Sequence, residues 1–216
     1  MFHHLDAPKF RGYGQAFLYP LSFLSLLLLY RLLWQDESML PDLSNSLAAA
    51  RNLLGWELVH HTPAGDIGGI IIETEAYAQE DEASHSFRGV TKRTAPMFEE
   101  AGHIYMYFIY GMHWCLNIVT GPKGHGEAVL IRALKPTRGI ELMKQYRKTD
   151  EMKRLTSGPG SLVQALAIPP TYSGQKLEDT QLELTPPPQT VKNIKISQRI
   201  GIKKAIDKPW RFYTDL

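Results

Sequence analysis

The chain has 216 residues, of which 44% are hydrophobic and 10% aromatic, and it carries a formal net charge of +2. This length and composition support one sizeable core and exclude a fold that depends on disulfides. The single cysteine, Cys115, also excludes a cysteine-based zinc or iron–sulfur site within the chain and suits a reducing compartment. The cytoplasm is therefore the expected location.

The first predicted segment is an apolar N-terminal extension at residues 1–40, which precedes a folded domain at 41–216. Within it, Phe17–Trp34 is rich in leucine but contains Pro20 and Arg31. Its length of about eighteen residues is at the lower limit for a membrane span. No small-residue cleavage site follows that would indicate a signal peptide. We expect an extension whose later part, near Leu32 to Gln35, packs on the domain, with membrane insertion as the less favoured alternative.

The elements of the domain follow from hydrophobic periodicity and turn residues. A helix is predicted over Ser46–Leu54, with Ser44 or Ser46 as its cap and Gly55 just after its end. The further elements, in chain order, are strands at about 56–61, 67–77, 103–110, 114–119 and 127–134, then helices at Gly139–Lys148 and Ser161–Ala167. Strands joined by short turns predict an antiparallel sheet flanked by helices, a single α+β domain.

The strand at 67–77 carries two carboxylates. Because side chains alternate along a strand, Ile71, Glu73, Glu75 and Tyr77 are predicted to share one face. A carboxylate beside an aromatic ring can activate a water while the ring stacks on a flat substrate, as enzymes that excise bases require. The competing interpretation is that each glutamate is an ordinary residue of a solvated sheet edge.

The next strands are rich in tyrosine. Tyr105, Tyr107 and Tyr110 lie within six positions and end at Gly111, which predicts a hairpin whose last tyrosine projects from the turn. The competing interpretation is that these are ordinary strand residues, since tyrosine favours half-buried pleated surfaces. His85, taken alone, is more often a hydrogen-bonded structural histidine than a functional one.

Together these motifs resemble the alkyladenine (3-methyladenine) DNA glycosylases. The resemblance holds in order and spacing from about Ala48 to Tyr213. The matching motifs are Glu-Thr-Glu-Ala-Tyr at 73–77, Asp-Glu-Ala-Ser-His-Ser at 81–86, Met97-Phe98, Tyr-Met-Tyr-Phe-Ile-Tyr-Gly-Met at 105–112, Cys-Leu-Asn-Ile at 115–118, Val-Leu-Ile-Arg-Ala-Leu at 129–134, Ser-Gly-Pro-Gly at 157–160, Gln164-Ala165-Leu166, Arg-Ile-Gly-Ile at 199–202 and Arg-Phe-Tyr at 211–213. The resemblance implies a curved, largely antiparallel sheet flanked by helices, with a β-hairpin that inserts into DNA.

The resemblance also implies catalytic roles. Glu75 matches the general base that activates a water for attack at the sugar carbon. Arg132 matches the arginine that holds this water, and the backbone carbonyl of Ile200 would supply a third contact. An arginine beside Glu75 favours its ionised form whereas burial opposes it, and the sequence leaves that balance open.

Further roles concern the flipped nucleotide. By resemblance, Tyr110 is the wedge that fills the gap in the base stack. The flipped base would lie between Tyr77 and Tyr107, with His85 on the Tyr77 side, and stacking of this kind contributes roughly 1 to 3 kcal/mol per ring. Asn117 would crowd the amino group of normal guanine and so exclude it.

The expected function is that of a monofunctional DNA glycosylase that begins base excision repair. Its partner would be duplex DNA containing 3-methyladenine, 7-methylguanine, hypoxanthine or ethenoadenine, and it would act as a monomer in the nucleoid or a eukaryotic nucleus. No cofactor or metal is expected, because His3-His4 and His60-His61 lack partners at ligand spacing and are predicted at the surface. The alternatives are a non-catalytic protein that binds lesions and a hydrolase of free nucleosides.

Charge and departures from the family pattern qualify this expectation. Residues 120–154 contain nine basic against four acidic residues, and residues 188–216 contain seven against two, so each zone has a net charge of +5. Two basic zones fit phosphate contact, although a charged run is often only a solvated face. The departures are Thr94, where the family commonly has asparagine, the acids Glu99-Glu100 before the hairpin, and the N-terminal extension.

Overall fold

The fold is described from a computed structural model over residues 41–187 and 190–215. The apolar segment Phe17–Trp34 lies outside these residues, so the expectation for it stays a prediction. Within the described ranges, no helix is long and apolar enough to cross a membrane.

The described residues form one α+β unit in which eight strands make a curled, half-barrel sheet. The strands are β1 (Glu57–Thr62), β2 (Gly65–Tyr77), β3 (Ile104–Ile109), β4 (His113–Val119), β5 (Ala128–Arg138), β6 (Leu182–Thr185), β7 (Lys195–Ser197) and β8 (Arg211–Tyr213). The helices are α1 (Ser46–Asn52), α2 (Ile140–Arg147), α3 (Met152–Leu155) and α4 (Pro159–Ala165), with 3₁₀ turns at Ala95–Phe98, Pro170–Tyr172 and Leu177–Asp179. The predicted α+β class is confirmed.

The strand order is β3-β4-β5-β2-β1-β6, with β8 beside β2 and β7 beside β8. Every pairing is antiparallel. The long central strands β2 and β5 therefore carry the middle of the sheet, and the β3–β4 hairpin extends from one side of it. The strand ends differ from the predicted ends by one or two residues, except that β5 continues to Arg138.

The first helix begins one residue away from either predicted cap. Asn45 is extended, with φ −156°, and its side chain accepts the Ala48 N–H at 2.9 Å. The Ser46 N–H instead donates to the carboxylate of Glu127 at 2.7 Å. Asparagine caps a helix as well as serine does, and Ser46, one of the two predicted caps, is the first helical residue.

The predicted face of β2 is wrong at Ile71, because β2 and β5 each carry one extra residue where they pair. Ile71 pairs with Leu134, but Glu73 pairs with Ala133, so Ile72 is unpaired. Such a bulge reverses the alternation of side chains. Ile71 therefore packs in the core, while Glu73 and Glu75 point to the opposite side, a reversal that simple alternation does not predict.

The main core lies between the sheet and the helices that cover one of its faces, and it includes Leu58, Ile131 and Leu162. His60 belongs to this side of the sheet and is only 6% exposed, so its predicted surface position is wrong. Its Nδ1 lies 2.7 Å from the Leu166 carbonyl and its Nε2 lies 3.2 Å from the Tyr172 hydroxyl. Two hydrogen bonds satisfy the imidazole and make its burial possible.

Candidate active site

A cavity of about 590 Å³ opens beside the β3–β4 hairpin. It is bounded by β2, β3, β4 and β5, by the start of α4 and by the loop after β7. Seven of the eight predicted site residues line it: Tyr77, His85, Tyr107, Tyr110, Asn117, Arg132 and Ile200. The eighth, Glu75, has no exposed surface and lies immediately behind Tyr77, Arg132 and Ile200.

Glu75 receives hydrogen bonds from two directions. Its Oε1 accepts the backbone N–H of Ile200 at 2.8 Å and lies 3.3 Å from Nη1 of Arg132. Its Oε2 accepts the hydroxyl of Tyr77, also at 2.8 Å. These three groups fix the carboxylate at the wall of the cavity. The predicted contact of the Ile200 carbonyl with a water stays a prediction, whereas its amide contacts Glu75 directly.

Arg132 links Glu75 to a second carboxylate. Its Nε donates to Oε1 of Glu73 at 2.7 Å, and Arg211 donates to the same oxygen at 2.6 Å. The guanidinium of Arg132 is thus held between Glu73 and Glu75. Arg132 occupies its place because it is the extra residue of β5 in the paired bulges.

The two glutamates have opposite shifts in pKa. Burial raises the pKa of Glu75, and the charge of Arg132, the Ile200 amide and the Tyr77 hydroxyl do not offset this effect. Burial also acts on Glu73, but hydrogen bonds and charges from Arg211 and Arg132 lower its pKa below the ordinary value. The balance left open by the sequence therefore favours desolvation at Glu75. Two carboxylates on one strand are set to different proton affinities.

Uncharged aromatic rings form the walls of the cavity. Burial raises the pKa of both Tyr77 and Tyr107, so both hydroxyls remain protonated. The His85 residue keeps exposed surface, but its ring packs on Tyr105 and Tyr107, and this desolvation, together with the charge of Arg93, lowers the pKa of His85 to about 4. The His85 ring stands at 89° to Tyr107, with centroids 4.6 Å apart, and its Nδ1 lies 2.9 Å from the hydroxyl of Tyr105. These surfaces suit a flat, apolar ligand.

Asn117 is fixed in place by the neighbouring strand. It is 4% exposed, and its Nδ2 donates to the carbonyl of Tyr105, its partner across β3 and β4, at 3.0 Å. The amide therefore presents a rigid polar edge within the cavity wall. A fixed edge of this kind can reject a ligand by its shape.

Tyr110 stands at the tip of the hairpin. It is 75% exposed and has a φ of +53°, in the left-handed region that tyrosine rarely adopts. Gly111 follows with φ +69° and Met112 is 69% exposed. The predicted outward projection from the turn is confirmed, and the strained backbone presents a bare aromatic ring beside the cavity.

Sequence reasoning missed a buried ion pair next to the site. Arg199 and Asp81 have no exposed side-chain surface and form two hydrogen bonds with one another. The guanidinium of Arg199 lies 4.6 Å from the centroid of the Tyr77 ring. Both residues are in motifs that carried the resemblance, and the place of Arg199 directly before Ile200 was the available signal.

The basic zones are more neutralised than their sequence implies. Within the described residues, five of the nine basic residues of 120–154 lie in ion pairs. Five of the seven in 188–216 do so as well. The acids Glu99 and Glu100 take part, through Lys123 at 2.8 Å and Lys176 at 3.7 Å. These two acids therefore oppose DNA less than their position before the hairpin indicated.

Comparison with known proteins identifies close relatives. The family model described as Methylpurine-DNA glycosylase matches residues 42–215. A protein of Methanoculleus marisnigri is 47% identical over 173 residues, which covers 78% of this chain and 90% of the relative. A protein of Agrobacterium fabrum is 47% identical over 183 residues, covering 82% and 91%, and one of Nitrosospira multiformis is 45% identical over 169 residues, covering 78% and 85%. Each carries the name "Putative 3-methyladenine DNA glycosylase".

Proposed function

The chain belongs to the methylpurine-DNA glycosylase family and is thus an enzyme that hydrolyses N-glycosidic bonds in DNA, and we propose that it excises damaged purines, first of all 3-methyladenine. We extend the proposal to 7-methylguanine, hypoxanthine and ethenoadenine in duplex DNA. The domain at 41–216 would carry the whole activity. The observation on which the proposal rests is Glu75, a buried carboxylate fixed by three donors at the wall of an aromatic cavity.

Glu75 acts as the general base in this proposal. Its carboxylate takes a proton from a water that attacks C1′ of the sugar, and the bond from C1′ to the purine nitrogen breaks with its electron pair leaving on the base. Arg132 positions the water and stabilises the charge of the carboxylate. Glu73 holds Arg132 through Nε, so that Nη1 stays directed at Glu75.

The aromatic walls select the substrate. The flipped purine stacks between Tyr77 and Tyr107, with His85 beside it, and uncharged rings accept several damaged purines without one hydrogen-bond pattern. Asn117 excludes normal guanine by crowding its amino group. The cavity volume of about 590 Å³ leaves ample room for one purine with its sugar.

Tyr110 fills the gap left by the flipped nucleotide. It is aromatic, exposed at the hairpin tip and adjacent to the cavity, as a wedge between base pairs must be. The proposal is of a monomer that works without metal or cofactor. The substrate places it with the chromosome, in the nucleoid or in a eukaryotic nucleus.

The experiment is single-turnover release of 3-methyladenine from methylated DNA, and of hypoxanthine and ethenoadenine from duplex oligonucleotides, by the native protein and by Glu75→Gln. Glutamine keeps the shape of the side chain but cannot accept the proton. Release should fall by about 10² to 10⁴-fold, the range that a general base contributes, while lesion binding persists.

Two outcomes would contradict the proposal. Release by Glu75→Gln at the native rate would exclude Glu75 as the base. Binding without any release by the native protein, on any of these lesions, would favour the alternative of a protein that only recognises damage.

A further inference from the structure

A buried ion pair lies against the face of Tyr77. The guanidinium of Arg199 lies 4.6 Å from the centre of the Tyr77 ring and 5.1 Å from the centre of the Trp210 ring. It therefore covers one face of Tyr77, and the opposite face is left for the cavity. Stacking of a guanidinium on an aromatic ring is favourable and holds the ring in one orientation.

The same guanidinium joins three separate segments of the chain. Its Nη1 donates to the carbonyl of Ala76 at 2.9 Å, at the end of β2. Its Nη2 donates to Oδ1 of Asp81 at 3.1 Å and to the carbonyl of Ala205 at 3.4 Å. Asp81 is fully buried, and Lys208 lies 3.6 Å from its carboxylate. These bonds fix the loop that follows β7 against the end of β2.

That loop supplies a donor to Glu75. Ile200 directly follows Arg199, and its backbone N–H donates to Oε1 of Glu75 at 2.8 Å. Ile200 itself is 51% exposed, so its own side chain contributes little packing to hold the amide in place. The anchor nearest to this amide is the buried side chain of Arg199.

We infer that Arg199, held by Asp81, is a positioning residue for the excision reaction, an inference that rests on the proposed function. It fixes Tyr77 as a wall for the flipped base and fixes the Ile200 amide on Glu75. The second effect matters because a hydrogen bond to a carboxylate favours its ionised form, which is the form a general base requires. Burial raises the pKa of Glu75, and the Ile200 amide counteracts this rise.

Lysine should not replace arginine in this role. The planar guanidinium donates simultaneously to a carboxylate and to backbone carbonyls and lies flat on a ring, whereas an ammonium group offers a single charged point. Arg199→Lys therefore keeps the charge but loses the geometry. Asp81→Asn weakens the same Arg199–Asp81 ion pair by removing the charge of the carboxylate.

The charged and titratable groups that surround Glu75 come from each element packed against it. They are Glu73 and Tyr77 on its own strand, Tyr107 on β3, Arg132 on β5, Arg211 on β8 through Glu73, and Arg199 in the loop after β7. Neither test variant changes a residue in direct contact with the Glu75 carboxylate. A shift in its titration would thus report on the two donors that Arg199 positions, the Ile200 amide and the Tyr77 hydroxyl.

The test is the pH dependence of single-turnover hypoxanthine release by the native protein, Arg199→Lys and Asp81→Asn. The acidic limb of the profile should move to higher pH by about 0.5 to 1 unit in both variants. Arg138→Lys is the matched control, because Arg138 also forms two hydrogen bonds with a carboxylate, Glu57, but at the opposite end of β5. Arg138→Lys should keep the acidic limb of the pH profile at the native position.

A second readout does not depend on turnover. Carbon NMR titration of the glutamate side chains, with Glu75 assigned by its loss in Glu75→Gln, should show the same upward shift in each variant. Two results would overturn the inference in favour of a purely structural pair. One is a variant that releases less hypoxanthine but keeps the native acidic limb of the pH profile and the native titration of Glu75. The other is a variant that does not fold. Failure of the native protein to release hypoxanthine, 3-methyladenine or ethenoadenine would instead overturn the proposed function.

Discussion

At Glu75, the burial that the proposed function requires reduces the stability of the fold. Its carboxylate is fully buried, and burial raises its pKa above the ordinary value. The ionised form of Glu75 is therefore less favourable in the folded state than in the unfolded chain, which means that its charge opposes folding at neutral pH. Glu73, two residues earlier, has a lowered pKa because Arg211 and Arg132 pair with it. Its charge stabilises the fold.

The two glutamates should consequently respond in opposite directions to the same substitution. Glu75→Gln should raise the free energy of unfolding at pH 7, and the gain should shrink as the pH falls through the raised pKa of Glu75 and vanish below the ordinary pKa of a glutamate. Glu73→Gln should lower the free energy of unfolding at pH 7, and this loss should vanish only as the pH falls through the lowered pKa of Glu73. Urea denaturation at several values of pH between 3 and 8 measures both. A destabilised Glu75→Gln at pH 7 would contradict the argument.

At the residue scale, the structure brings together most of the residues that the resemblance indicated. Tyr77, Tyr107, Asn117 and Arg132 do line one cavity, although they come from four different strands. What the sequence left open was the ionisation of Glu75, because that depends on burial, and burial is a property of the assembled fold. The roles of these residues stay predictions until the variants are measured.

At the scale of an element, the β3–β4 hairpin holds a strained residue at its tip. Tyr110 adopts a left-handed backbone conformation, which costs roughly 1 to 2 kcal/mol for residues other than glycine, asparagine and aspartate. Its side chain recovers little of this energy by packing, since it is 75% exposed. A strained, exposed aromatic residue at a hairpin tip is therefore not explained by stability, and it fits the proposed contact of Tyr110 with DNA.

Tyr110→Asn should separate the effect of Tyr110 on stability from its effect on base excision. Asparagine tolerates a positive φ, so the melting temperature should stay the same or rise, by an amount equivalent to about 0.5 to 1 kcal/mol. Release of damaged bases from duplex DNA should fall by at least about tenfold, since the gap left by the flipped nucleotide is no longer filled. Phe108→Asn is the control, because Phe108 is 48% exposed on the same hairpin but packs against Trp114, with ring centroids 5.1 Å apart. It should lower the melting temperature, and a fall for Tyr110→Asn as well would contradict the assignment of strain.

Secondary-structure elements were predictable where the local sequence pattern determines them. They were not predictable where the pairing of strands determines their geometry. The alternation of apolar residues located β2 correctly, but it placed Ile71 on the wrong face, because the unpaired Ile72 arises only when β2 meets β5. The matching bulge on β5 is what directs Arg132 at both glutamates. The geometry of Glu75 and Arg132, the proposed catalytic pair, thus depends on an irregularity that neither strand shows in isolation.

On the scale of the whole molecule, sequence counts overstated the positive charge available to DNA. Most arginines and lysines of 120–154 and 188–216 are paired with acids, several of them from other parts of the chain, such as Glu57 and Asp81. By contrast, the segment 87–93 follows His85 closely and has three basic residues and no acid. It is organised by Thr94, whose hydroxyl accepts the Thr91 N–H at 2.8 Å.

This segment is where the main electrostatic contact with DNA is expected. Within the described part of the chain, Arg88 and Lys92 form no ion pair, and both are exposed in the segment that follows His85, a residue of the cavity wall. Removing one basic side chain that binds a phosphate reduces the slope of log affinity against log salt by about 0.9. The double variant Arg88→Gln and Lys92→Gln should therefore reduce the slope for undamaged duplex DNA by close to two.

The control removes the same charge elsewhere. Lys148 and Lys192 are exposed, lie in the two basic zones and do not line the cavity. Their joint replacement by glutamine should change the slope by much less than the first pair, although both variants have the same net charge. Fluorescence anisotropy between 50 and 300 mM salt measures both slopes. Equal slopes for the two variants would mean that DNA affinity depends on the total charge of the protein. A larger change in slope for the Lys148 and Lys192 variant would instead place the phosphate contacts on the basic zones.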